Sequence, residues 1–180
     1  MKGVVFNILE DMVTERAGLM TWQKILDKTQ LSGGYTAVGT YSDAELFELV
    51  GAVVEELDLP AETVVSAFGT FMFGQLARRY PVFVESCDTL FSFLESIDSV
   101  IHLEVKKLMT ETNLPSISCE RRGTSELLLN YSSPRKLCLL AEGLIYGAAE
   151  HYNSPITIEH PVCMHTGADH CDLRVQLRNE

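Results

Sequence analysis

Basic residues are scarce. The 180-residue chain has 14 lysines and arginines against 25 aspartates and glutamates, a formal net charge of −11. Such a surface lacks the electropositive footprint that DNA, RNA or an anionic bilayer requires, while a basic partner protein stays compatible with it. Long apolar runs are missing too. No stretch approaches the roughly 18 uninterrupted apolar residues of a membrane span. Met1-Lys2-Gly3 leads into apolar residues, but Glu10 and Asp11 interrupt them too early for a signal-peptide core. The glycine directly after Met that myristoylation needs is absent. The chain is therefore expected to be cytoplasmic. Internal repeats, low-complexity tracts and linkers are lacking. So are a nucleophile–base signature, a phosphate loop and a paired-carboxylate motif, so an enzyme is not expected.

What is present is enough apolar material for one folded domain. The hydrophobic fraction is 46% and the mean hydropathy +0.09, which excludes intrinsic disorder. The acidic excess is lopsided: residues 1–100 carry 6 basic and 15 acidic groups, residues 101–180 carry 8 and 10. Five cysteines is an odd number, which argues against a closed set of disulfides and, in a cytosolic chain, for reduced, metal-bound or redox-sensing thiols.

The first 110 residues read as helices. Val4, Val5, Ile8, Leu9, Met12 and Val13 form an apolar stripe, with Gly18 as its stop. A second helix is expected from Trp22 to Leu31, ended by Gly33-Gly34. Ser42-Asp43-Ala44-Glu45 reads as a capping box that opens a helix of about 15 residues. Pro60 suits the first turn of the next, which runs through Phe68 and Leu76 and stops before Pro81. Gly69 and Gly74 inside it each cost about 1 kcal/mol against alanine, which suggests close packing, a kink or room for something bulky. Helical periodicity resumes from Val84 to Ser99 and continues from Val100 to Met109.

Then the period changes. Ser116 to Arg122 and Ser125 to Tyr131 read as strands around a Gly123 turn. Ser133-Pro134 reads as the start of a helix that reaches His151. Ile156-Thr157-Ile158 and Asp172 to Leu177 are strands, with a polar tip, Thr166 to Asp169, between them. The expected class is α+β: helices first, then a mainly antiparallel sheet with helices.

Three groups of residues carry chemistry. Cys138, Cys163 and Cys171, with His151, His160, His165 and His170, lie near the C-terminus. Thiolates and imidazole on both arms of a hairpin, joined by a thiolate from a helix, can enclose a tetrahedral Zn²⁺. Spacing leaves open which histidine binds, and also leaves open plain buried cysteines. Tyr131, Ser133 and Arg135 sit at a strand-to-helix junction, where two hydroxyls, a guanidinium and helix N–H groups suit a carboxylate. A capped helix with a solvated arginine is the plainer alternative. His102 stands among Val100, Ile101, Leu103 and Val105, either as a core histidine or as an axial ligand to haem iron. In the second case Tyr131, Ser133 and Arg135 supply the donors at the haem edge.

In combination these residues resemble the H-NOX family, the haem nitric oxide/oxygen binding domains of bacteria related to the sensor domain of soluble guanylate cyclase. The resemblance rests on Met1-Lys2-Gly3, His102, Pro115 in Asn113-Leu114-Pro115, Tyr-x-Ser-x-Arg, and the Cys/His hairpin. It covers essentially the whole chain. It implies a helical N-terminal subdomain, about residues 1–65, packed on a C-terminal α/β subdomain, about 66–180, with haem b between them. It implies that His102 is the iron ligand, that Tyr131, Ser133 and Arg135 hold the haem propionates, and that Pro115 distorts the porphyrin. The zinc-containing γ-proteobacterial type maps onto Cys138, His160, Cys163 and Cys171. The distal pocket maps onto Val5, Leu9, Phe73, Leu76, Leu140 and Leu144. O₂-binding members place a tyrosine where Leu140 stands here, so the resemblance implies a ferrous haem that binds NO and CO but not O₂. NO is then implied to loosen the iron–His102 bond and shift the N-terminal helices, a change read by a separate effector, a histidine kinase or a cyclic-di-GMP enzyme. Two rival readings are a zinc-thiolate redox sensor and a haem-free small-molecule-binding module such as the V4R domains.

Overall fold

The structure, a computed structural model, describes residues 1–108 and 112–178. Helices α1 (Gly3–Ala17), α2 (Leu19–Thr29) and α3 (Asp43–Leu57) come first. The long α4 (Ala61–Arg79) follows, then the short α5 (Pro81–Glu85) and α6 (Leu90–Ser96). A π-helical turn, Ile97–Ile101, joins α6 to α7 (His102–Leu108). The expected continuation to Met109 lies outside the described residues. Strands β1 (Ser116–Arg122) and β2 (Glu126–Ser132), helix α8 (Cys138–His151), and strands β3 (Ile156–Val162) and β4 (Cys171–Leu177) complete the chain. The class is α+β, and among the described residues no helix is long and apolar enough to cross a membrane.

The four strands form one antiparallel sheet in the order β1-β2-β4-β3. Strict alternation decides its buried face: Leu127, Leu129 and Tyr131 of β2 and Cys171, Leu173 and Val175 of β4 are buried. Their register puts Tyr131 opposite Cys171 and Leu129 opposite Leu173. On β3 the pairing shifts between Glu159 and Val162, where Pro161 has no N–H to give the ladder.

Two clusters of buried side chains fill the interior. One gathers Phe6, Ile8 and Leu9 of α1 with Trp22, Ile25, Leu49, Val53 and Phe68, and reaches Leu140 of α8. The other joins Phe73, Phe91 and Phe93 to the inner face of the sheet and to α8. Both meet along α4, and Leu144 packs against each.

The α4–α8 contact is backbone to backbone. A Cβ on Gly143 would sit 2.3 Å from the Ser66 carbonyl oxygen, and one on Gly69 would sit 2.5 Å from that of Leu140. Gly74 has nothing within 4 Å. Of the two α4 glycines, then, only Gly69 serves close packing. Gly143→Ala should lower stability by about 1–3 kcal/mol, because neither helix backbone can yield cheaply. Gly74→Ala should raise it by up to about 1 kcal/mol through helix propensity alone. Urea unfolding of the two variants checks both signs.

Some boundaries differ from the sequence pattern. Helix α8 begins at Cys138, four residues after Pro134. Ser133 Oγ instead accepts from the Arg135 N–H at 3.3 Å, and Lys136 turns into the left-handed region at φ 51°. The Ser133 hydroxyl is thus spent on the turn, while the backbone of Leu137, the N-cap residue of α8, meets the Tyr131 phenol. Ser42 does cap α3, accepting from Ala44 N–H, but Glu45 is not its capping-box partner and accepts from the Tyr35 hydroxyl at 3.4 Å.

Candidate functional site

His102 is the first residue of α7, directly after the π turn. Such a turn adds one residue to the helical repeat and is frequent at functional positions. The Nδ1 atom lies 3.1 Å from Asp98 Oδ1, one turn back, and the side chain is 12% exposed. Burial lowers the imidazole pKa, opposed by the Asp98 carboxylate. The ring is thus biased to its neutral form. With Nδ1–H donating to Asp98, Nε2 is left as a lone-pair ligand, the arrangement a metal-binding histidine needs. The π turn itself packs against β1.

β1 pairs Ile117 with Tyr131 on β2, which leads to the second group. Tyr131 and Ser133 are each 3% exposed, and the Arg135 side chain 12%. The Tyr131 phenol lies beside the Ser133 hydroxyl, the Leu137 backbone and the Arg135 guanidinium; burial still raises its pKa. One Arg135 Nη donates to the Asn113 carbonyl, two residues before Pro115. The other lies 3.2 Å from Met1 Sδ and 3.8 Å from Asp43 Oδ1. Arg135 Nε is buried with no hydrogen-bond partner. An orphaned guanidinium N–H beside two buried hydroxyls suits an incoming carboxylate, and haem brings two. The donor set therefore fits a haem edge. Among the described contacts, none joins His102 directly to this group.

The six apolar positions assigned to the distal side lie on α1, α4 and α8. Leu9 and Leu140 are buried in one cluster, with Val5, Leu76 and Leu144 packed against it. Phe73 belongs to the other, edge-on to Phe93 with centroids 5.5 Å apart. The tyrosines are engaged elsewhere. Tyr35 meets Glu45, Tyr41 accepts from Thr36 N–H, and Tyr152 donates to Val84 O. Tyr80 is exposed, Tyr131 is described above, and Tyr146 lines a surface cleft of about 470 Å³ with Glu150, Asn153 and Ile156. That cleft shares no residue with the groups described here.

The third group is the most compact. Cys138 opens α8, His160 lies on β3, Cys163 follows β3 and Cys171 opens β4. One ligand atom from each falls within 4.8 Å of all the others. The Cys138 and Cys163 sulfurs are 4.0 Å apart, near the roughly 3.8 Å that tetrahedral Zn–S bonds of about 2.3 Å require. All five cysteines are free. His160 Nε2 is buried and unpartnered, while Nδ1 lies 2.6 Å from Glu142 Oε1. The backbone N–H of Met164 donates to Cys171 Sγ at 3.2 Å. Burial pushes the Cys138 thiol up to about 12, with Cys171 and Cys163 adding to it. Of the four histidines that spacing left open, geometry brings His160 to the sulfurs. His165 Nε2 pairs with Lys136 O, His170 with Asp169 and Asp172, and His151 meets Phe73 and Tyr152 edge-on. Cys87 and Cys119 stand apart, near Ser96 Oγ and donating to Leu94 O respectively.

Comparison with known proteins adds four findings. The family model described as HNOB, haem-NO-binding, matches residues 2–160. The Fe(II)NO crystal structure of an H-NOX protein from Shewanella oneidensis is 44% identical, covers 99% of this chain and all of its own, and superposes with a TM-score of 0.94. An H-NOX domain of the same organism in the Fe(II)CO state, also 44% identical and covering both chains fully, gives 0.92. A soluble guanylate cyclase of Caenorhabditis elegans, gcy-35, is 26% identical over 88% of this chain, which spans only 24% of that relative's length.

Proposed function

The chain belongs to the haem-NO-binding, or H-NOX, family, and on that premise we propose that it senses nitric oxide. In this reading it binds NO and CO, forms no stable O₂ complex, and passes the signal to a separate effector, a histidine kinase or a cyclic-di-GMP enzyme. Haem, when bound, supplies a ferrous iron that takes up diatomic gases. The observation that carries the proposal is the His102 imidazole, biased neutral by burial and held through Nδ1 by Asp98.

Each group of residues has one task. His102 would offer Nε2 to a haem iron. Tyr131, Ser133 and Arg135 take the propionates, and Arg135 also grips the Asn113 carbonyl and so fixes the approach to Pro115. Pro115 would lie against the porphyrin when haem is bound. Val5, Leu9, Phe73, Leu76, Leu140 and Leu144 exclude water on the distal side and present no hydrogen-bond donor. A bound O₂ needs such a donor more than NO or CO does. The same reading divides the chain at about residue 65 into a helical subdomain and a haem-holding one. In the Shewanella relative the NO and CO states are those named above.

Cys138, His160, Cys163 and Cys171 are proposed to hold a structural Zn²⁺, with the orphaned His160 Nε2 as the observation behind it. A zinc-thiolate redox sensor is a compatible second reading, favoured by the 4.0 Å approach of two sulfurs.

Absorption spectra of the ferrous protein under argon, NO, CO and air test the main reading. NO and CO are expected to shift the Soret band and air to give no stable oxy spectrum. A stable oxy spectrum, or no Soret band after haem reconstitution, overturns it.

A further inference from the structure

Glu142 has no part in the ligand set, yet it is committed to it. It lies on α8 four residues after Cys138, so the two share one face a turn apart. Its carboxylate meets His160 Nδ1 at 2.6 Å, with the two side chains only 19% and 17% exposed. On the opposite edge of the ring, Nε2 is buried and unpartnered, and a ring nitrogen of His160 lies within 4.8 Å of three cysteine sulfurs. The imidazole thus stands between a carboxylate and a thiol cluster. Glu142 is not among the residues whose ligand atoms converge there.

We infer that Glu142 is a positioning residue of the metal centre: by accepting the Nδ1–H of His160 it fixes the ring orientation and leaves Nε2 as the metal-binding atom. The inference rests on the reading of the four residues as a metal site. Its physical basis is general. A neutral imidazole has one N–H and one lone pair, and an acceptor at one nitrogen decides where the lone pair points. Without that acceptor the ring is free to rotate or to adopt the other tautomer, and part of the binding energy goes to ordering it. Metal-bound histidines are commonly oriented this way, and losing the partner costs about 10–100-fold in affinity. The neighbouring Cys171 is oriented by a different device, the Met164 N–H at 3.2 Å, so the effect of Glu142 should be confined to His160.

Glutamine separates orientation from charge. The Glu142→Gln variant keeps an acceptor oxygen on the same stem and loses the negative charge, whereas Glu142→Ala loses both. The test is competition between the intact chain and a chelator for Zn²⁺ alone, with Co²⁺ as the optical probe of ligand geometry, in the wild type and both variants. Glu142→Ala is expected to weaken Zn²⁺ binding about 10–100-fold, with Glu142→Gln recovering most of that loss. The ¹⁵N spectrum of His160 should show a protonated Nδ1 in the wild type and the glutamine variant, and its loss or fast exchange in the alanine variant. Thermal melting of the metal-free proteins keeps a folding defect apart from a metal defect. If the alanine variant binds Zn²⁺ as tightly as the wild type, or if glutamine fails to restore what alanine loses, the positioning role is overturned while the metal site stands. If the wild type takes up neither Zn²⁺ nor Co²⁺, and Cys171→Ser changes nothing, the metal-site reading falls first and the inference with it.

Discussion

Replacing His102 with glycine is expected to abolish the histidine-ligated haem spectrum, and millimolar imidazole to restore it. An outer partner such as Asp98 is worth at most about 100-fold in metal affinity, and loss of the ligand itself must cost more. Resonance Raman detection of an iron–histidine stretch in the wild type but not in the variant makes the assignment specific. A glycine variant with an unchanged stretch would refute it. Acid should release the same ligand. Burial holds the folded His102 pKa below the ordinary 6.5. Between the two values the unfolded chain binds the proton and the folded chain does not, so stability falls with pH through a window that opens near 6.5 and extends downward. The neutral ring, with its free lone pair, persists above that window. Protonation below it removes the lone pair, so haem release should steepen there. Asp98→Ala deepens the fall in pKa by removing the opposing carboxylate, and should move the release to lower pH.

Stripping the metal should produce the second large effect. The proposed ligands tie α8, β3, the hairpin and β4 together at one point, so metal that binds only the folded chain adds its binding free energy to stability. At free Zn²⁺ about a thousandfold above the dissociation constant this is about 4 kcal/mol. A chelator, or Cys171→Ser, should therefore lower the melting temperature by many degrees and loosen the β3–β4 hairpin first in hydrogen exchange. Loading should also release protons. The Cys138 thiol stands at about 12 and Cys171 is likewise raised by burial, so each must give up a proton to ligate, and affinity should fall as the medium is acidified. A chelator that left melting unchanged would count against the site.

Much of this was legible in the chain. The α1 stripe, the β1 limits and the alternation of β4 follow from period alone, because each element buries one face only. What failed was local competition. Ser133-Pro134 has the chemistry of a helix start, but Ser133 Oγ is spent on a turn and the left-handed Lys136 delays α8 to Cys138. The π turn before His102 has no residue signature in the chain, and in the fold it packs against β1. Of the two site partners not foreseen, Asp98 was open to view as an i, i+4 neighbour of His102 on a helix. Glu142 was not: its partner is 18 residues away, and only the fold brings them together. Likewise Gly69 and Gly74 look alike in sequence and differ only by which side of α4 meets α8.

One rung of the sheet places the two centres side by side. Tyr131, assigned to the haem edge, is the cross-strand partner of Cys171, assigned to the metal, and only Lys136 and Leu137 separate Arg135 from Cys138. A shift of that rung would move residues of both proposed centres. Thermodynamic reciprocity then constrains the protein: whatever factor metal loading imposes on gas affinity, gas binding must impose on metal affinity. With both centres loaded as proposed, the response to gas would depend on the metal state of the hairpin as well as on the gas itself.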